Sequence, residues 1–246
     1  MKSYKHRSGE QRLWFQEDEI ETIAEDELRN AGLYPTPDNP VTDLERFVQR
    51  HLGADFDQFA ALSPEVLGQT EFVPGKPPAI RINGDLTGSA FEDDDPLPWT
   101  KGRWRATVAH EAGHVLLHRG LFEVNLSQGE LFCAGTQASS LMRCLKRDVG
   151  YRSATSDWRE VQANKAMAAL LMPRGLLRQV ALAHPALQGI ANDVGGDSST
   201  DVVVGDLARA FEVSKQAASI RLGTLKIVPT EAALAFPGSA PAAGEL

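Results

Sequence analysis

Cysteine is almost missing from this 246-residue sequence: there are two. A disulfide-stapled scaffold is therefore excluded. No stretch approaches the roughly 20 apolar residues that a membrane-spanning helix needs. No excess of basic charge is present either. Lys and Arg number 25 against 33 Asp and Glu, a net charge of −8, so nothing draws the whole chain to phosphate backbones or anionic lipid. There is no internal repeat. The opening MKSYKHRSGEQRLW is basic but lacks the apolar run of a signal peptide, and the expected compartment is the cytoplasm. What remains is 42% hydrophobic and 24% charged, the mix of an ordinary globular protein. The length suits one large domain, or a medium one with a small appendage.

Residues 1–14 are polar and read as a flexible arm. Residues 17–30 carry Ile20, Ile23, Ala24 and Leu28 at helical spacing, with Gly32 as the stop. Pro35, Pro37 and Pro40 exclude helix. Thr42-Asp-Leu-Glu45 reads as a capping box for a helix with Leu44, Phe47, Val48, His51 and Leu52 on one face. The runs 67–73 and 79–83 flank Pro74-Gly75-Lys76-Pro77-Pro78 as a β-hairpin. Residues 84–98 read as loop. Thr100 caps a helix predicted to reach Arg119 and stop at Gly120. Residues 120–156 are irregular and hold both cysteines. A helix from Trp158 to Met172 is capped by Asp157 and closed by Pro173, and a shorter one covers 175–183. The run 195–200 has linker composition. Two short helices follow at 202–211 and 215–222, and the Ala-, Pro- and Gly-rich tail 228–246 is expected to be disordered.

The sharpest chemical signal is His110-Glu-Ala-Gly-His114. On a helix, positions i and i+4 share a face, so both imidazoles can converge on one zinc ion at about 2.0–2.1 Å. Glu111, rotated about 100° around the axis, reaches a water there without being a ligand. Such a motif arises by chance in on the order of one chain in a hundred of this size. A third ligand is therefore required, because a catalytic zinc takes three protein ligands and leaves one position open.

His118 continues the i+4 series but lies eight residues from His110, about 12 Å along the axis at roughly 1.5 Å per residue. It reads instead as a helix-end residue facing terminal carbonyls. The longer HExxHxxGxxH pattern fails, because Leu117 and Gly120 occupy its Gly and His positions. Glu160 has two readings. It can offer a carboxylate oxygen to the ion, with Asn164 on the same face orienting an imidazole from behind. It can equally complete a capping box with Asp157. Spacing alone leaves both open.

The histidine motif followed by Glu160-Val-Gln-Ala-Asn-Lys-Ala-Met-Ala-Ala-Leu-Leu-Met-Pro173 resembles the ImmA/IrrE family of bacterial zinc endopeptidases. These show HExxH and then a helix of the type E-x-x-A-N-x-F-A-A-x-L-L-M-P, and they belong with the gluzincins. The resemblance covers roughly residues 15–180. It implies an α+β fold, a minimal gluzincin-like metallopeptidase with helices on a small β-sheet. It also implies His110, His114 and Glu160 as zinc ligands and Glu111 as general base. Ala166-Met167 replaces the usual aromatic-Ala step, a packing change. The spacing between His114 and Glu160 exceeds the family's, as an insertion at about 122–155 would explain.

The implied reaction is hydrolysis of a peptide bond in a specific protein, expected to be a DNA-binding repressor of stress-response or mobile-element genes. Zinc acidifies water and Glu111 moves its proton. An oxyanion donor is needed, for which Tyr151, His184 and Arg174 are candidates by residue type. Strand 79–83 is a candidate edge for an extended substrate. Cys133 and Cys144 read as unrelated reduced thiols.

The sequence thus divides into the arm 1–14, a metallopeptidase domain 15–194, a helix-turn-helix-like module 200–227 and the tail. In the module, Leu207, Ala208 and Phe211 are expected to pack on Val213, Ile220 and Leu222. Ser214 caps its second helix, and Glu212 stands where such turns prefer Gly. Arg209, Lys215, Arg221 and Lys226 against Asp206 and Glu212 form a weak footprint for DNA. The alternative function is a DNA-binding or protein-interaction regulator, such as a toxin–antitoxin component, with a non-catalytic metal site.

Overall fold

A computed structural model describes residues 2–5, 11–91, 98–122, 140–145, 157–187 and 197–228. The chain is α+β and divides into two compact units. The first holds residues 1–34 and 42–171, the second residues 35–41 and 172–246. Residues 172–187, expected in the metallopeptidase domain, fall in the second unit.

The first unit opens with strands β1 (Lys2–Lys5) and β2 (Gln11–Trp14), paired antiparallel with Lys2 opposite Trp14. This replaces the expected flexible arm. Backbone pairing needs no apolar pattern, so composition did not reveal it. Helix α1 (Glu17–Asn30) buries Ile20, Ala24 and Leu28. The Gln16 amide donates to Glu19 Oε2 at 2.8 Å, and Gly32 at φ +65° turns the chain out of the helix.

Helix α2 (Leu44–Arg46) continues as a π-helical turn, Phe47–His51. Its cap differs from the expected box. Asp43 Oδ1 accepts from the Arg46 amide at 3.0 Å, while the Thr42 hydroxyl donates to the Leu170 carbonyl at 2.8 Å. Terminal helix carbonyls lack partners within their helix, and Thr42 serves one of them.

A four-stranded mixed sheet contains β3 (Asp55–Ala60), β4 (Val66–Phe72), β5 (Ala79–Asn83) and β6 (Ser140–Leu145) in the order β3-β5-β4-β6. The expected hairpin is β4–β5, with Thr70 opposite Ile80. Strand β5, however, lies between β3 and β4. It therefore offers no edge to a substrate, contrary to the sequence expectation. β6 supplies regular structure where an irregular stretch was expected, pairing antiparallel with β4 so that Gly68 faces Cys144.

The expected loop 84–98 contains helix α3 (Gly84–Phe91). Two glycines weaken its local signal. Tertiary contacts hold it, with Leu86, Thr87 and Ala90 buried and the Trp104 indole N–H donating to Thr87 Oγ1 at 3.2 Å.

Helix α4 (Pro98–His118) and helix α5 (Trp158–Leu171) form the heart of the unit. Thr100 lies inside α4 rather than capping it, and a 3-10 turn, Arg119–Leu121, follows. The helices approach closely at Gly113, where a Cβ would lie 3.0 Å from both the Ala163 carbonyl oxygen and the Ala166 Cβ. Glycine and alanine at this crossing let the two backbones approach.

The second unit contains α6 (Arg174–Leu182), α7 (Asp197–Ala210) and α8 (Lys215–Thr224). Helix α7 begins inside the expected linker, because Asp, Ser and Thr mark helix starts as readily as loops. Leu207, Ala208, Phe211 and Leu222 are buried, whereas Val213 and Ile220 are half-buried. Ser214 Oγ accepts from the Ala217 amide at 3.1 Å. Glu212 adopts φ +52° at the turn. The tail beyond residue 228 lies outside the described residues.

Candidate metal centre

Helix α4 carries His110, Glu111, His114 and His118 into the interior of the first unit, where all four are fully buried. Helix α5 faces them with Glu160 and Gln162. His110 Nε2 lies 3.1 Å from His114 Nε2 and 3.1 Å from Glu160 Oε2. His114 Nε2 lies 3.3 Å from Glu160 Oε1. Three donors around one tetrahedral ion at about 2.0–2.1 Å stand about 3.3–3.4 Å apart. The observed spacings match that figure, and the two nitrogens and one oxygen can hold a divalent metal ion.

The backs of the imidazoles are also engaged. Asn164 Oδ1 accepts from His110 Nδ1 at 3.0 Å. With the hydrogen on Nδ1, Nε2 can offer its lone pair to a metal ion in place of the proton it shares with Glu160. His118, expected to face terminal carbonyls, instead places Nδ1 3.1 Å from His114 Nδ1. Its Nε2 lies 3.2 Å from Gln162 Oε1. Eight residues separate it from His110, but the series His110, His114, His118 lets each ring touch the next.

Burial would raise the Glu160 carboxyl, but hydrogen bonds from His110 and His114 overcome it and hold Glu160 well below the usual carboxylate range. Burial would likewise lower His110, but the Glu160 hydrogen bond and the Glu111 charge raise it. His114 is lowered, chiefly by burial. The cluster therefore carries a negative carboxylate beside two imidazoles, a setting in which a cation replaces shared protons.

Glu111 lies beside the three donors, its carboxylate within 4.8 Å of a His110 ring nitrogen. Thr70 Oγ1 of β4 donates to its Oε2 at 2.6 Å, while Oε1 is buried and makes no hydrogen bond of ordinary geometry among the described residues. Burial pushes its carboxyl up to about 7, partly offset by His110 and Thr70. A group of that affinity can exchange a proton near neutrality. Strand β4 crosses directly over it, since a Cβ on Gly68 would lie 2.9 Å from Glu111 Oε1. Thr70 escaped the sequence reading. Its only local signal is that it shares the β4 face of Gly68, two residues away.

Cys144 of β6 is buried and brings its sulfur within 4.8 Å of ligand atoms of His110 and Glu111. Cys133 and Tyr151 lie outside the described residues. Arg174 and His184 belong to the second unit, where His184 Nε2 pairs with Asp206 Oδ2 at 3.1 Å. In the same unit the Arg221 guanidinium is buried and donates to the Met172 carbonyl at 2.9 and 3.2 Å. One of the four cations counted toward a DNA footprint is thus committed internally. No described helix is long and apolar enough to cross a membrane.

Comparison with known proteins adds no relative: no family model, no curated protein and no solved structure matches the chain.

Proposed function

We propose that this protein is a zinc-dependent endopeptidase. The observation that carries the reading is the convergence of His110, His114 and Glu160 to 3.1–3.3 Å beside a buried Glu111 whose Oε1 makes no hydrogen bond of ordinary geometry among the described residues. A site serving structure alone has no use for such a carboxylate, because an unpaired buried oxygen costs about 1–3 kcal/mol. The HExxH motif and the Glu160–Pro173 run, resembling the ImmA/IrrE endopeptidases, support the same ligands and the same gluzincin-like fold.

A zinc ion held by the three ligands supplies Lewis acidity, which acidifies water and polarises a peptide carbonyl. Asn164 keeps the His110 ring turned toward the ligand cluster. Glu111 accepts the proton of the attacking water and delivers it to the departing amine, a task suited to a carboxyl near neutrality. Thr70 anchors Oε2 and so holds the carboxylate beside the cluster. Strand β6 places Cys144 beside Glu111 and ends the sheet among the described residues, so its outer edge can receive an extended peptide.

The substrate class is a folded regulatory protein with an accessible extended segment, in the resemblance a DNA-binding repressor. Direct DNA binding by this chain is the weaker reading, because Arg221 is turned inward. Glu111→Gln tests the reaction. Purified with a repressor encoded beside it, the variant retains zinc to one equivalent and leaves the repressor intact, while the wild type cleaves it. Cleavage by the variant would remove Glu111 from the mechanism. A wild type that holds no zinc and cleaves nothing would end the enzyme reading.

A further inference from the structure

We propose that His110, Glu111 and Cys144 form a second metal site, one that takes a soft, thiophilic divalent ion such as cadmium. It shares His110 with the first cluster but needs neither His114 nor Glu160, so it does not rest on the endopeptidase reading.

Helix α4 presents His110 and Glu111 side by side, and β6 brings Cys144 to them. All three side chains are fully buried. One ligand atom from each lies within 4.8 Å of the other two: an imidazole nitrogen, a carboxylate oxygen and the Cys144 sulfur. Three atoms no farther apart than this share a centre within about 2.8 Å of each, against roughly 2.0–2.3 Å for zinc-type bonds. Less than about one ångström of movement per donor therefore completes the set.

Strand register explains why the sulfur lies there. Gly68 stands opposite Cys144 in the β4–β6 pair, and residues directly opposite in an antiparallel pair share a face of the sheet. That face looks onto α4, since a Cβ on Gly68 would lie 2.7 Å from Thr107 Cγ2 and 2.9 Å from Glu111 Oε1. With no side chain at 68, Cys144 is the group the sheet lays beside this carboxylate, across from Thr70 on its other oxygen. The carboxylate independently points to a ligand. Its Oε1 is buried and makes no hydrogen bond of ordinary geometry among the described residues, whereas buried polar atoms are normally satisfied. A cation bonded there supplies the missing partner. The donor set selects its class. A thiolate favours soft ions, and the first cluster, with two imidazoles and a carboxylate, has none. Under the endopeptidase reading, an ion at the second site would also tie up Glu111 and so inhibit cleavage.

Cadmium titrated into the full chain, metal-free and kept reduced with a phosphine, tests the site through the ultraviolet absorption of a sulfur–cadmium bond. The absorption should grow with bound cadmium, persist in Cys133→Ser and disappear in Cys144→Ser. Glu111→Gln should weaken cadmium at least about tenfold, because even an outer-shell partner is worth about 10–100-fold, and leave zinc affinity unchanged. Glu160→Gln should do the reverse, weakening zinc while the sulfur–cadmium absorption stays. Cadmium NMR on Cys133→Ser, in which Cys144 is the sole cysteine, reads sulfur ligation even if Cys144→Ser folds poorly. Absorption that survives Cys144→Ser, or a cadmium ion without sulfur ligation in Cys133→Ser, would overturn the proposal. So would cadmium affinity indifferent to Glu111→Gln. Should the wild type bind no zinc through the first cluster, the endopeptidase reading fails, while the Cys144 signal still decides this site.

Discussion

Glu111 is held where a carboxylate is costly, and the cost depends on pH. Its carboxyl rises from an ordinary 4.5 to about 7 because of burial. Between those values the folded chain keeps a proton that the unfolded chain has released. Stability therefore falls as pH rises through this window, and the full penalty is present above about pH 7. Glu111→Gln removes the titration. In the metal-free protein it should stabilise by on the order of 3 kcal/mol at pH 8 and have almost no effect at pH 4. Urea denaturation at the two pH values checks this, and equal effects at both would mean that Glu111 is not perturbed. The same substitution abolishes the proposed cleavage, so one side chain should show opposite effects on stability and activity.

Between elements, the close crossing of α4 and α5 is what brings His110, His114 and Glu160 together. Gly113 leaves no room at the crossing, with a prospective Cβ 3.0 Å from the Ala163 carbonyl oxygen and the Ala166 Cβ. Gly113→Val should separate the helices at a cost of about 1–3 kcal/mol and weaken zinc binding through displaced ligands. Melting curves and chelator competition measure the two effects, and unchanged zinc affinity would show that the crossing does not position the site. The α7–α8 turn offers a change of opposite sign. Glu212 sits at φ +52°, a conformation that costs a residue with a Cβ about 1–2 kcal/mol. Glu212→Gly should recover about 1 kcal/mol of stability, read as a higher denaturation midpoint. The elements missed by the sequence reading share a physical cause. Helix α3 contains Gly84 and Gly88, and β6 lies in a segment with no clear period. Each is held by partners distant in the chain, Trp104 for the one and β4 for the other.

Across the whole molecule, the candidate ligands His110, His114 and Glu160 all lie in the first unit, and the second has its own apolar core around Phe211. Phe211→Ala should destabilise the second unit by about 3–5 kcal/mol and leave zinc affinity unchanged. Hydrogen exchange resolved by segment, paired with a zinc titration, tests the division. Loss of metal binding in this variant would mean that the site depends on the second unit's core.

The sequence by itself determined what local patterns can carry. The apolar stripe of α1, the hairpin around Pro74–Pro78, and the one-face placement of His110 with His114 follow from periods and turn residues spanning a few positions. It also brought Glu160 and Asn164 forward as partners. The approach of the Glu160 carboxylate to both imidazoles, the burial of Thr70 against Glu111, the reach of His118 to Gln162 and the interior position of β5 were decided only by tertiary structure. Each depends on two segments remote in the chain meeting in space, and a side chain's role there is set by the neighbour that its packing supplies.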